Sequence, residues 1–300
     1  MKKWRGAAAA AGTVLILAGL LGMAYPFVGN YINSRTHRRV VTDYQEEADS
    51  LSDENLSRML REAEEYNEWI FSRGETLTSL SEEELEAYGG MLQVSVTGIM
   101  GYIDIPKIHV TLPIYHGTRE EVLQVGIGHL AGSSLPVGGE NTHAVLTGHS
   151  GLPSAKLFTD LDQLEPGDTF TVTVLEHPAT YRVESTEVVE PEEAEHMTIE
   201  EGKDLCTLVT CTPIGVNSHR LLVHGLRAPD AETEASPAAG GTERNGAQAE
   251  AREGDGQHGW LLACLVLAVV LAVGLSIRRK RRRDARKKDS GTRKEDHYED

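Results

Sequence analysis

Hydrophobic and polar positions divide the chain into three textures. The first is unbroken apolarity: Ala7 to Val28 carries no charge, and the 22 residues Gly256 to Ile277 repeat that character around WLLACLVLAVVLAVGLSI. At 1.5 Å per residue either run is long enough to cross about 30 Å of hydrocarbon. The second texture is helical. Between residues 42 and 93, Leu56, Met59, Leu60, Ala63, Tyr66 and Ile70 recur at three and four residues and make one stripe. Ser81 and Glu84 then form a capping-box pattern ahead of a second helix carrying Leu85, Tyr88 and Leu92. From about Gly98 the texture becomes short β-rich runs parted by Gly, Pro and Asn: IMGYIDI, VTLPIY, HAVLTG, TFTVTVL, TYRVESTEVV, LCTLVTC and RLLVHGL. Such runs, with no long helices between them, predict a barrel or a sandwich. A short helix is expected within 152–164.

These textures predict a cytoplasmic N-terminus (1–6), a membrane helix (7–28), a helical region (29–97), a β-domain (98–228), a linker (229–258), a second membrane helix (259–277) and a basic tail (278–300). The linker has almost no large apolar side chains and reads as a disordered tether.

Charge sharpens the topology. The 300 residues hold 29 Lys and Arg against 46 Asp and Glu, a net −17, which argues against binding nucleic acid through its phosphates. The deficit is uneven: residues 29–277 carry −25, whereas Lys2, Lys3 and Arg5 precede the first apolar run and Arg278 to Arg283 follow the second. The positive-inside tendency places both ends in the cytoplasm and the acidic body outside. The first run also fits a cleaved secretory signal, with small residues at Gly22-Met23-Ala24; the body is exported either way.

Three cysteines make no disulfide framework for an exported domain. Cys264 lies within the second apolar run. In LCTLVTC alternate residues share a face, so Cys206 and Cys211 point oppositely, and Cys211 stands where Thr212-Pro213-Ile214-Gly215 stops the strand. A thiol at its ordinary pKa is mostly protonated at neutral pH, so catalysis by Cys211 needs partners. TPIGVNSH reads as a loop whose hairpin-like return sets Arg220 beside Cys211, where a guanidinium suits an oxyanion or a substrate carbonyl. Among twelve histidines, position favours His149, on a tight turn after the strand AVLTG, over His143 at that strand's start. No spacing supports a metal site.

The segment TLVTC (207–211), with Arg220 beyond it and LTGHSG (146–151) before it, resembles the sortase signature. Blocks such as GYIDIPKI, LPIYHGT and GVNSHRLLV extend the resemblance over roughly residues 98–227, to the class C, pilus-assembling sortases of Gram-positive bacteria. That resemblance implies a closed eight-stranded sortase barrel, with the helical region before it and a membrane helix at either side. It implies a cysteine transpeptidase needing no cofactor, in which Cys211 attacks the Thr carbonyl of an LPxTG-type sorting motif and forms a thioester. His149 handles the protons of the leaving and incoming amines, and Arg220 steadies the oxyanion or the substrate. The acceptor would be a Lys amine of a pilin, and the alternatives are a peptidoglycan precursor or a non-catalytic anchored scaffold. Many class C sortases also bear a lid with Asp-Pro and an aromatic residue. This chain has no Asp-Pro, and Trp69, Phe71 and Tyr88 in the helical region read as packing residues first and as plugs second.

Overall fold

The computed structural model describes residues 2–94, 98–191, 193 and 195–229. The second apolar run and the basic tail lie outside the described residues, as does the linker beyond Pro229.

Helix α1 (Lys2–Asp49) continues without interruption through the first apolar run, with Pro26 inside it. From Gly12 it is long and apolar enough to cross a membrane. Val14, Leu15, Ile16, Leu21, Met23 and Phe27 are all exposed, a band of apolar surface that no other described residue covers. Beyond Val28 one stripe turns inward: His37, Val41, Tyr44 and Ala48 are buried at three- and four-residue spacing. The Tyr44 hydroxyl donates to the Met100 carbonyl at 3.0 Å and accepts from the Leu175 amide at 2.9 Å.

Helix α2 (Asp53–Arg73) starts at Ser52, whose hydroxyl accepts from the Asn55 amide, and stops at Gly74 in the left-handed conformation. Its stripe of Met59, Ala63, Tyr66 and Ile70 is buried on the barrel. Helix α3 (Glu82–Gly90) opens with the Ser81–Glu84 capping box and buries Tyr88. It is shorter than its apolar spacing implies: two glycines end it, and Leu92 is buried from a backbone with φ +54° rather than from the helix.

Eight strands follow: β1 (Ile99–Ile105), β2 (Val110–His116), β3 (Ile127–His129), β4 (Thr142–Thr147), β5 (Thr169–Val174), β6 (His177–Val189), β7 (Asp204–Thr212) and β8 (His219–Arg227), with a one-turn helix α4 (Glu120–Leu123) before β3. They close into a barrel in the order β1-β2-β3-β4-β7-β8-β6-β5. Of the barrel or sandwich that the strand runs predict, the barrel is present, with the eight strands that the resemblance implies. Seven strands stand out as alternating or β-rich runs, and the eighth, β3, does not. It has three residues, and Gly128 is required within it because a Cβ there would meet the Gly117 carbonyl oxygen at 2.3 Å. The helix expected within 152–164 is only a 3-10 turn at Leu161–Gln163.

The barrel interior is filled by residues such as Ile103, Ile105, Phe170, Val172, Cys206 and Leu208. On β7 the opposite face, with Val209, packs against Val145, Val189 and Leu222 on the outside of the wall.

Candidate active site

Strand β7 sets the chemistry by alternation. Cys206 faces the core and is fully buried; burial, then the charge of Asp204, drives its thiol well above the ordinary value. Cys211 falls on the outer face at the strand's end and is half-buried. The two sulfurs are free and separated by the wall itself.

The antiparallel β7–β8 register pairs Cys211 with Arg220 and Thr212 with His219. Directly opposed residues have Cβ atoms about 5 Å apart, so the thiol and the guanidinium stem rise side by side. The loop between them folds on itself, with the Val216 and Asn217 amides both donating to the Pro213 carbonyl. Arg220 Nη1 donates to the His219 carbonyl at 3.1 Å and to the Asn217 carbonyl at 3.4 Å, and among the described residues the rest of its fork has no hydrogen-bond partner. His219 turns to Glu190, 3.3 Å from its Nε2.

His149 comes from the neighbouring strand. β4 and β7 pair in parallel up to Thr147 opposite Val209, and the ribbon's hydrogen bonds continue past the strand end. The Gly148 amide donates to Val209, the Thr210 hydroxyl donates to the Gly148 carbonyl, and the Ser150 hydroxyl donates to the Cys211 carbonyl. The residues on either side of His149 are thus fastened to the three residues that end at Cys211. A loop side chain needs such fixing if it is to exchange protons at a defined place. Gly151 has φ +72° and lies so near Ile214 that a Cβ would approach Cγ2 to 2.5 Å, which closes the turn against the β7–β8 loop.

His149 Nε2 is buried and has no hydrogen-bond partner, although Glu120 Oε1 lies 3.4 Å away. That carboxylate, on α4, also accepts from the Gln124 amide; this bond first, and His149 second, hold it below the usual carboxylate range. Glu120 is not legible as a site residue in the sequence, since nothing in REEVL distinguishes it from the other surface acids. Ser150 escapes for a similar reason, because its bond is to backbone.

Of the other candidates, Tyr88 and Trp69 pack against the core and Phe71 faces solvent. Tyr88 is buried against Tyr66, His116 and His129, its hydroxyl bonded to His129 and to the Gly117 amide. Trp69 packs on Tyr66 with Arg73 stacked over it, and Phe71 is 38% exposed. The α2–α3 link instead crosses the 130–135 loop, where the Thr78 amide donates to Gly132, and reaches Thr198 through Thr76. Among the described residues no group of three or more His, Cys, Asp or Glu is arranged to hold a metal.

Residues 103–228 match the family model for the sortase domain. A curated relative, Sortase D of Bacillus subtilis, is 32% identical over 130 residues, 42% of this chain; the match spans 63% of that relative's length. Among solved structures, sortase C1 of Streptococcus agalactiae is 47% identical, with a TM-score of 0.62, over 64% of this chain and 98% of that one. Sortase C of Streptococcus pneumoniae, whose structure is described as informing catalysis and pilin substrate specificity, is 40% identical, with a TM-score of 0.57, over 64% and 97%.

Proposed function

The chain belongs to the sortase family, and from that membership we propose that it is a membrane-anchored cysteine transpeptidase that joins pilins on the outer face of the cell. One observation carries the reading: Cys211 and Arg220 are register partners, and the turn bearing His149 is fastened to the same strand end.

In the acylation step the Cys211 sulfur attacks the Thr carbonyl carbon of an LPxTG-type motif. Arg220 donates hydrogen bonds to the oxygen as it gains charge. The Thr–Gly carbon–nitrogen bond then breaks, and His149 gives the leaving amine its proton, which leaves a thioester on Cys211. In the second step a Lys ε-amine of another pilin attacks the thioester. His149 takes the proton that this amine sheds, and the thiolate departs as an isopeptide bond forms. Excluding water favours the amine over hydrolysis.

The pilin acceptor is supported by the likeness to class C enzymes, one of them described in terms of pilin substrate specificity. Intact mass spectrometry tests both halves. With a sorting-motif peptide the native protein should gain the acyl fragment, and Cys211→Ala should not. A pilin Lys peptide should then accept the fragment. Ligation of a short peptide amine alone would move the chain to cell-wall anchoring, and no adduct with any motif would make it a scaffold.

A further inference from the structure

Helix α1 fixes which end of the barrel meets the lipid. Its contacts are ordered along its axis. Nearest the apolar run, the Asn33 amide donates to the Ser154 carbonyl at 2.6 Å and Asn30 Oδ1 accepts from the Lys156 amide at 2.9 Å. Gly29 lets the helix pass close here, since a Cβ would stand in a tight 3.2 Å contact with the Ser154 Cα. One turn beyond Asn33, His37 is buried, facing the backbone of Val125. Only near the helix's end do Tyr44 and Gln45 reach Met100, Leu175 and Tyr102. At 1.5 Å per residue, Asn33 lies about 8 Å beyond Val28 and Tyr44 about 24 Å. The β5–β6 hairpin is therefore the membrane-distal end, and the loop holding Ser154 and Lys156 is the proximal one.

That proximal loop is the one that carries His149. It leaves β4 at Thr147, passes His149, Ser150 and Gly151, and returns so that the Phe158 amide donates to the His149 carbonyl. Against Gly151 sits Ile214 of the β7–β8 loop, and this loop bears two large apolar side chains on its surface, Ile214 at 56% and Val216 at 70% exposure. The loop 212–218 has no charged residue, and exposed Arg35, Arg38 and Arg39 stand on α1 just past the apolar run. Tyr25 and Tyr31 flank the end of that run at 60% and 59% exposure, as residues of an aromatic belt do.

We propose that the β7–β8 loop docks on the bilayer itself, Ile214 and Val216 entering the headgroup–acyl boundary while the arginines of α1 meet anionic headgroups. The proposal rests on the reading of α1 as a membrane anchor and of the barrel as a transpeptidase, and it makes the lipid interface part of the substrate's approach. An uncharged loop tip with two apolar side chains gains by leaving water, and each arginine near an anionic surface adds to the attraction. A sorting motif tethered by a membrane-embedded tail would reach Cys211 without leaving the interface.

The test uses the full chain in nanodiscs of phosphatidylcholine and phosphatidylglycerol. Nitroxide labels go on Val216→Cys or His177→Cys in a Cys211→Ala, Cys264→Ala background, and power-saturation spectroscopy compares collisions with oxygen and with a nickel chelate. The label at 216 should favour oxygen and the label at 177, on the distal hairpin, nickel. Equal nickel access at both sites overturns the docking. With Cys211 present, Val216→Asp should slow conversion of a lipid-tethered motif several-fold and leave a free peptide in detergent unaffected; equal rates on the tethered motif also overturn it. Thioester formation with the free peptide reports on the transpeptidase reading alone, so either idea can fail while the other stands.

Discussion

The two ends of the β4–β7 ribbon carry the same residue types and treat them oppositely. At its start are His143 and Cys206, at its far end His149 and Cys211. His143 is buried and fully bonded, with Nδ1 on the Thr198 carbonyl at 2.9 Å and Nε2 on the Thr207 hydroxyl at 2.7 Å; Thr207 passes the chain to His224, and His224 to Glu187. Burial first, against the pull of the Thr198 carbonyl, holds His143 below the ordinary value. Cys206 is equally closed off in the core. His149 has a nitrogen without a hydrogen bond, and Cys211 stands half-open at a strand end. Satisfied groups hold a fold together, whereas unsatisfied ones beside an opening are available for chemistry.

Substitution at either end should break the symmetry in opposite directions. Cys211→Ala should abolish adduct formation while melting at the wild-type temperature. Cys206→Ala should keep turnover and lose about 1 kcal/mol of stability to the cavity. Alkylation of the folded protein should mark Cys211 and spare Cys206, which mass mapping would show. Next in size, His149→Ala should cut kcat by about 10³-fold with little change in melting. His143→Ala should cost about 2 kcal/mol by orphaning Thr207 and the Thr198 carbonyl, with kcat retained at permissive temperature. If His143→Ala removed activity from a protein that still melted normally, the division between the two ends would be wrong.

The same division marks what the sequence could reveal. Cys211 and Arg220 are legible because strand alternation and a hairpin return are local rules, and the eight residues between the two leave little room for another register. The helical stripe of α2 and the capping box of α3 are legible for the same reason. Glu120 and Ser150 are not, since their partners come from other elements and arise only when the barrel closes. Strand β3 is hidden because close backbone approach demands glycine where an apolar alternation would otherwise announce a strand. The contacts of α1 with residues 154–156 join asparagine side chains to backbone across about 120 positions, and no periodicity encodes them.

A third contrast is electrostatic. His129 is fully buried, and burial brings its value down to about 4 from 6.5; Nε2 meets the Ser134 carbonyl at 2.8 Å and Nδ1 the Tyr88 hydroxyl at 2.8 Å. The unfolded chain takes up this proton below about pH 6.5 and the folded one does not until about pH 4. Stability is thus complete above 6.5 and falls as the pH drops, by about 2 kcal/mol at pH 5 from this group. His37, His116 and His143, also lowered chiefly by burial, act with the same sign. Asp204, raised by burial, opposes them only closer to the carboxylate range. Denaturant melts at pH 7 and pH 5 should show the loss, and His129→Gln should flatten it; an unchanged slope would show that His129 is already charged in the fold.

The smallest effect is the one that tests the contrast most finely. Glu120 lies 3.4 Å from His149 Nε2, yet its side chain is 65% exposed and its other bond is to Gln124 on its own short helix. Exposed ion pairs are screened and weak, so Glu120→Gln should lower kcat/KM by about threefold, and high salt should erase the difference. Both follow if the carboxylate only biases the ring's charge and orientation from the rim. A loss as deep as that of His149→Ala, insensitive to salt, would mean that Glu120 forms a full hydrogen bond to the imidazole during turnover. His149 would then be a bonded histidine like His143, and its reactivity would have to come from its place beside Cys211 rather than from an unfilled nitrogen.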